Sequence, residues 1–309
     1  MTDSSARVQT GYPFVDGVDE LAARADLSPT RRMVRRFLSH RLAVIGGCVI
    51  LVLAICAIAA PIVAPDDPNK IDLLRIAHAP GFQNLLGTDA VGRDELSRLI
   101  YGARVSLSVG IVAVSMYLTI GFILGSAAGY VGGWLDNLIM RFTDVMMCFP
   151  TFVLILILVG ILGPNIFNIM FVIGLFGWPG VARLIRGQVL QLRELDYVTA
   201  TRVLGGGQRY VLLRHVLPNL IGLITVVGSL GIADAILTEA GLSFLGLGVV
   251  QPTASWGSML NDARAPALLA SKPWLWLAPG VAISLAVLSI NFIGDGLRDA
   301  FDVRGRAAG

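Results

Sequence analysis

Six apolar stretches limit what this chain can fold into. They cover residues 42–64, 103–131, 144–162, 166–182, 219–240 and 273–294. An α-helix of about 20 apolar residues crosses the hydrocarbon core of a bilayer. No water reaches that core, so every backbone N–H and C=O there must be bonded within the protein, and a run of this length satisfies them as a helix. Composition agrees, with 55% hydrophobic residues, 15% charged and a mean hydropathy of +0.74. A soluble domain carries about 25% charged residues. The expectation is an all-α polytopic membrane protein with six transmembrane helices.

The polar remainder sets the topology. Residues 1–40 form a polar tail that ends in the basic run from Arg31 to Arg36, and residues 41–305 form the transmembrane domain. The first apolar stretch is longer than the core of a cleaved secretory signal and reads as a retained first span. Six spans put both termini on one side. The tail with the adjoining Arg41, the connection 132–141, the loop 183–218 and the C-terminal tail hold 17 of the 24 Lys and Arg residues. Cytoplasmic loops carry the excess of Lys and Arg, so these four segments are placed in the cytoplasm. Residues 65–102 and 241–272 then face outward.

The cytoplasmic loop is the most structured of the polar segments. Residues 196–220 read DYVTATRVLGGGQRYVLLRHVLPNL. Arg202, Arg209 and Arg214 make the stretch costly in lipid, and Gly205 to Gly207 interrupt it. Tyr197, Ala200, Thr201 and Leu204 recur at helical spacing, which predicts a short helix ended at Gly205 by a left-handed residue. A second short helix is expected from about residue 208 to 217, with Pro218 closing the loop. On the residues alone, a basic loop resting on lipid headgroups fits as well as a docking element.

This loop resembles the EAA loop of ABC importer permeases. That pattern reads Glu-Ala-Ala, three residues, Gly, nine residues, Ile, any residue, Leu-Pro. Ala200, Gly205, Leu217 and Pro218 match it, whereas Thr199, Thr201 and His215 depart from it. In that family the loop is the coupling helix seated in a cleft of the ATPase. The resemblance therefore implies that Tyr197, Thr199, Ala200, Thr201, Gly205, Arg209, His215, Leu217 and Pro218 form the ATPase-coupling surface.

Other stretches narrow the resemblance. LGTDAVGRDELSRL from Leu86 to Leu99 resembles the GTDxxGRDxxSR signature of dipeptide/oligopeptide permeases of the C-subunit type. EAGLSFLGLG from Glu239 to Gly248, Ser255-Trp256-Gly257 and GDGLRDA from Gly294 to Ala300 resemble further motifs of the same subfamily. These motifs imply a type I ABC importer permease fold. They also imply a B-type permease partner, one or two ABC ATPase subunits, an extracytoplasmic solute-binding protein and a place in the bacterial inner membrane. Short peptides are the main cargo of such permeases, with nickel or another small solute in related branches. ATP and Mg would belong to the ATPase partners, and no cofactor is expected in this chain.

The remaining residues exclude other classes. No GxxxxGK[ST] loop occurs, so the chain carries no nucleotide-hydrolysing P-loop. His40, His78 and His215 are scattered, and Cys48, Cys56 and Cys148 lie in or beside apolar runs as small packing residues. No basic tract with interleaved aromatics points to nucleic acid. An ion-coupled secondary transporter is disfavoured by the low helix number, the missing internal repeat and the dedicated cytoplasmic loop. A membrane-embedded enzyme would need a clustered catalytic set, and none is present.

Three sets of residues stand out as structural or pathway candidates. Gly121, Gly125 and Gly129 form a small-residue seam for close helix packing. Arg93, Asp94, Glu95 and Arg98 are expected to pair locally and hold their loop. Asp144, Asp234 and Glu239 are acids in or beside spans, where an ionisable group faces a pathway or a partner rather than lipid. Asp234 and Glu239 are the pathway candidates, although Glu239 could also brace the LSFLGLG turn.

Overall fold

A computed structural model describes residues 29–301. They are helical, with no strand among the described residues. The helices are α1 Pro29–Ser39, α2 Arg41–Ile58, α3 Ala60–Val63, α4 Glu95–Val131, α5 Gly133–Met147, α6 Thr151–Leu162 and α7 Ile166–Phe176. There follow α8 Trp178–Arg193, α9 Asp196–Val203, α10 Gln208–Val211, α11 Ile221–Phe244, α12 Trp256–Asp262, α13 Pro266–Ser271 and α14 Trp274–Phe301. Five continuous helical stretches are long and apolar enough to cross a membrane: Arg41–Ile58, Glu95–Val131, Ile166–Arg193, Gln208–Phe244 and Trp274–Phe301. The α5–α6 pair becomes the sixth if it is counted as one broken span.

The boundaries differ from the hydropathy reading for identifiable reasons. The expected span 144–162 is bent by 79° between α5 and α6. Pro150 at the bend has no N–H to give and restricts the residue before it. The expected span 103–131 begins earlier, at Glu95, because Asp94 caps it by accepting from the Ser97 N–H. The expected span 166–182 continues as helix to Arg193. Ile185, Val189 and Leu192 keep a buried stripe on α8 at helical spacing after the average hydropathy has fallen. Pro218 does not close the loop before the fifth span. A π turn at Leu212–Val216 and a 3-10 turn at Leu217–Leu220 carry the helix through it. The last residues assigned to the polar tail form α1, which packs on the end of α14, with Phe37 beside Gly296. Residues 1–28 and 302–309, including most of the expected tail, Arg304 and Arg306, lie outside the described residues.

Helix α4 is the axis of the packing. On one side it meets α7 and α8, and on the other α2 and α11. The small-residue seam joins α4 to α8 within this chain. A Cβ on Gly121 would lie 2.7 Å from the Val181 Cβ, and one on Gly125 would lie 2.4 Å from the Ala182 carbonyl oxygen. One on Gly129 would lie 2.9 Å from the Arg186 carbonyl oxygen. Two backbones this close gain dispersion contacts that no side chain larger than hydrogen would permit. Ion pairs reinforce the same side. Arg186 grips Asp136 of α5 with two hydrogen bonds of 2.5 and 2.7 Å, and Arg183 bonds Asp144 at 2.6 Å. The cysteines are not core packers as expected. Cys48 and Cys148 are exposed on this chain, and Cys56 is half-buried.

Candidate functional site

The loop expected in the cytoplasm is two short helical pieces joined at a glycine turn. Helix α9 ends in a Schellman motif: Gly205 N–H donates to Arg202 O at 3.0 Å and Gly206 N–H to Thr201 O at 2.9 Å. Gly205 has φ +89°, the left-handed conformation that glycine adopts without the Cβ penalty. A helix this short has little stability of its own, so the loop depends on tertiary anchors. Val198, Val211, Val216 and Leu220 are fully buried and join the main core. The Tyr130 hydroxyl, from the end of α4, donates to Gln208 O at 2.7 Å, and the Arg202 guanidinium sits over the Tyr130 ring.

The residues expected to couple fall into two groups. Tyr197, Thr199, Ala200, Arg209 and Pro218 are exposed. The His215 ring stands between Tyr197 and Tyr210, at centroid distances of 6.0 and 5.6 Å, and ties the two short helices together. Asn219 strengthens this tie by donating to the Tyr197 hydroxyl and to His215 O. Thr201 is half-buried and donates to Tyr197 O. Leu217 is half-buried and packs inward on the core, so it supports the loop from behind. The apolar side chains that point away from the chain are others: Val203 is 82% exposed, Leu204 87%, Leu213 64% and Tyr210 55%. Together with Tyr197 they make a protruding apolar foot flanked by arginines. Leu204 was legible as part of an apolar face, but Val203 carries no motif and was missed.

On the opposite side of the bundle the GTDxxGRD stretch forms a buried charge network. Asp89 accepts from the N–H groups of Val91 and Arg93 and from Arg93 Nε at 2.6 Å, which shapes the turn around Gly92. Arg93 and Arg98 are almost fully buried, and both also reach Asp262 of α12, at 3.4 and 3.2 Å. Gln251 bridges Arg93 and Asp262. Burial pushes the Asp262 carboxyl up from its ordinary value, and Arg98 and Arg93 oppose that shift. The pairing is thus not merely local: it clamps the loop before α4 to the segment after α11.

The two pathway candidates have different surroundings. Glu239 is fully buried, accepting from Ser243 Oγ at 2.6 Å and Ser106 Oγ at 3.1 Å. Ser106 Oγ also accepts from the Trp256 N–H, so Glu239 braces the turn that begins at Leu242. Asp234 is exposed and lines a cavity of about 400 Å³. Tyr117 of α4, Thr151, Phe152 and Ile155 of α6, Ile173 of α7, Gly177, and Thr238 of α11 complete its walls.

Residues 121–306 match the family described as the binding-protein-dependent transport system inner membrane component. Residues 28–80 match the N-terminal transmembrane domain of oligopeptide transport permease C. A putative peptide permease protein of Brucella suis is 46% identical over 280 residues, covering 91% of this chain and 93% of the relative. A glutathione transport system permease protein of Pectobacterium atrosepticum is 41% identical, with 89% and 91% covered. An oligopeptide transport system permease protein of Haemophilus influenzae is 40% identical, with 88% of each chain covered.

Proposed function

The chain belongs to the family of inner membrane components of binding-protein-dependent transport systems, and from that premise we propose that it is the C-type permease subunit of an ATP-driven importer for short peptides. Its partners are a B-type permease, with which it forms a heterodimeric pathway, one or two ABC ATPase subunits in the cytoplasm, and an extracytoplasmic solute-binding protein. Nucleotide and Mg are held by the ATPases. Both termini and the loop 183–218 face the cytoplasm.

The observation that carries the reading is the apolar foot on the cytoplasmic loop. Val203, Leu204, Tyr210 and Leu213 are exposed on a loop whose arginines keep it out of lipid. Large exposed apolar side chains gathered on one short loop among charges point to a protein contact. The loop's own shape is fixed by the Schellman turn and by the Tyr197–His215–Tyr210 stack, so the foot is preorganised. Peptide is favoured over nickel or another small solute as cargo because the relatives are named for peptides, oligopeptides and glutathione.

The reading is tested by purifying the chain from its native membrane, identifying the chains that come with it, and measuring ATP hydrolysis with and without peptide-loaded binding protein. Co-purification of an ATPase whose activity rises with loaded protein is expected. A chain that moves solute in liposomes without ATP would refute the proposal.

A further inference from the structure

We propose that the cavity walled by Tyr117, Thr151, Phe152, Asp234 and Thr238 is a subsite for the ammonium group of the peptide cargo. The inference rests on the peptide-importer reading above and names what one place in the pathway recognises.

Four observations converge on it. First, Asp234 lies well inside a helix apolar enough to span the membrane, ten residues before the end of α11. A carboxylate there is costly unless it meets a cation or water. Second, three other acids of the bundle already have partners: Asp136 in Arg186, Asp144 in Arg183, and Glu239, on the same helix, in serine hydroxyls. Asp234 has no hydrogen-bond or ion-pair partner among the described residues. Third, the cavity has the size and mixture of walls that a small polar ligand needs. Its volume of about 400 Å³ falls in the range of small-ligand pockets. Two aromatic residues and two threonines line it, side-chain types that meet a cation through a ring or a hydroxyl oxygen.

Fourth, the wall beside Asp234 is built to a close tolerance. A Cβ on Gly231, one turn before Asp234, would lie 1.7 Å from the Tyr117 hydroxyl oxygen, and one on Gly177 would lie 2.6 Å from the Tyr117 ring. Two glycines therefore make room for this tyrosine against the turn that carries the carboxylate. Tyr117 is the one other titratable group lining the cavity among the described residues. The site thus presents one unopposed negative charge with hydroxyl and aromatic support, which is complementary to a primary ammonium. It would repel the carboxylate end of a peptide and so favour entry of the amino end.

The test uses the complete complex in proteoliposomes with its loaded binding protein, comparing wild type with D234N and D234E. An α-ammonium loses its proton near pH 8. The binding protein is common to all variants, so its own pH response cancels in the ratio of wild-type to D234N uptake. That ratio is expected to be about tenfold at pH 6.5, the scale of one charge-assisted hydrogen bond, and to fall towards one at pH 9. D234E should restore most of the uptake. A ratio that does not change with pH, or a D234N chain that no longer assembles with the second permease, would overturn the subsite. Either result would assign the carboxylate to a basic side chain of that partner. Wild-type uptake with an indifferent D234N would also overturn the subsite while leaving the importer standing. If the wild-type complex moved no peptide, the importer reading would fall and the subsite with it.

Discussion

Gly205 gives the sharpest handle on the coupling loop, because the structure separates its conformational role from its packing role. An added Cβ would meet nothing within 4 Å, so the first side-chain atom displaces nothing. The backbone at φ +89° is the whole cost. A left-handed residue with a Cβ costs about 1–2 kcal/mol, with β-branched residues at the upper end and Asn well below. At about 1.4 kcal/mol per tenfold, the population of the seated geometry should fall about fivefold in Gly205→Ala and about thirtyfold in Gly205→Val. Gly205→Asn should stay close to wild type. The spans are untouched, so all three variants should insert and assemble. The assay is ATP hydrolysis by the reconstituted complex with and without loaded binding protein, together with peptide uptake. Stimulated hydrolysis and uptake should fall together in the order Asn, Ala, Val. Normal uptake with normal stimulation in Gly205→Val would remove this loop as the coupling element. Equal loss in Asn and Val would also refute the reasoning, because it would make side-chain volume, not φ, the cause.

Three further outcomes are expected. Asp262→Ala strips a shared partner from two buried guanidiniums and should cost about 3 kcal/mol. It should be read as earlier thermal melting and faster proteolytic nicking of residues 65–94; unchanged melting would show that Asp89 alone satisfies both arginines. Gly125→Val drives a Cβ against the Ala182 carbonyl oxygen and should lower the amount of folded subunit in the membrane, whereas Gly47→Val, with open space around it, should not. A cysteine at Gln83 should react with an impermeant reagent in spheroplasts and one at Gln208 only after permeabilisation; labelling at 208 from outside would overturn the topology.

Much of the fold was legible because hydropathy and helix length answer to the same solvent. The six apolar stretches mark the helices, and the glycine seam marks a real close approach. What hydropathy missed is polar helix. Residues 95–102 and 183–193 are helical because Asp94 caps one and a buried stripe through Ile185, Val189 and Leu192 carries the other. An average over a window cannot see a cap or a stripe. The motifs marked the loop 196–220 and the clamp before α4, but not the partners within them: Asp262 lies 169 positions from Arg93, and no local pattern joins them. In sequence Asp234 and Glu239 are acids of one span, and only Glu239 offered a second role, bracing the LSFLGLG turn. Only the fold distinguishes a carboxylate enclosed by serines from one that faces a cavity.

The same fold suggests how the loop and the cavity act as one device. The two halves of the loop continue into different helices. On one side, α9 is joined through two residues to α8, a rod of 16 residues or about 24 Å. Its far end meets Gly177 on the cavity wall. The Asp136–Arg186 and Asp144–Arg183 pairs bind α5 to that rod, and α5 bends into α6, which supplies Thr151 and Phe152. On the other side, α10 runs without a break into α11, which supplies Asp234 and Thr238. Apart from Tyr117 of α4, the cavity is lined from two arms, and the arms meet at the Gly205 turn. Linkage then makes a strict demand: if a partner seated on the foot changes the affinity of the cavity for an ammonium group, that group must change the affinity of the foot for its partner by the same factor.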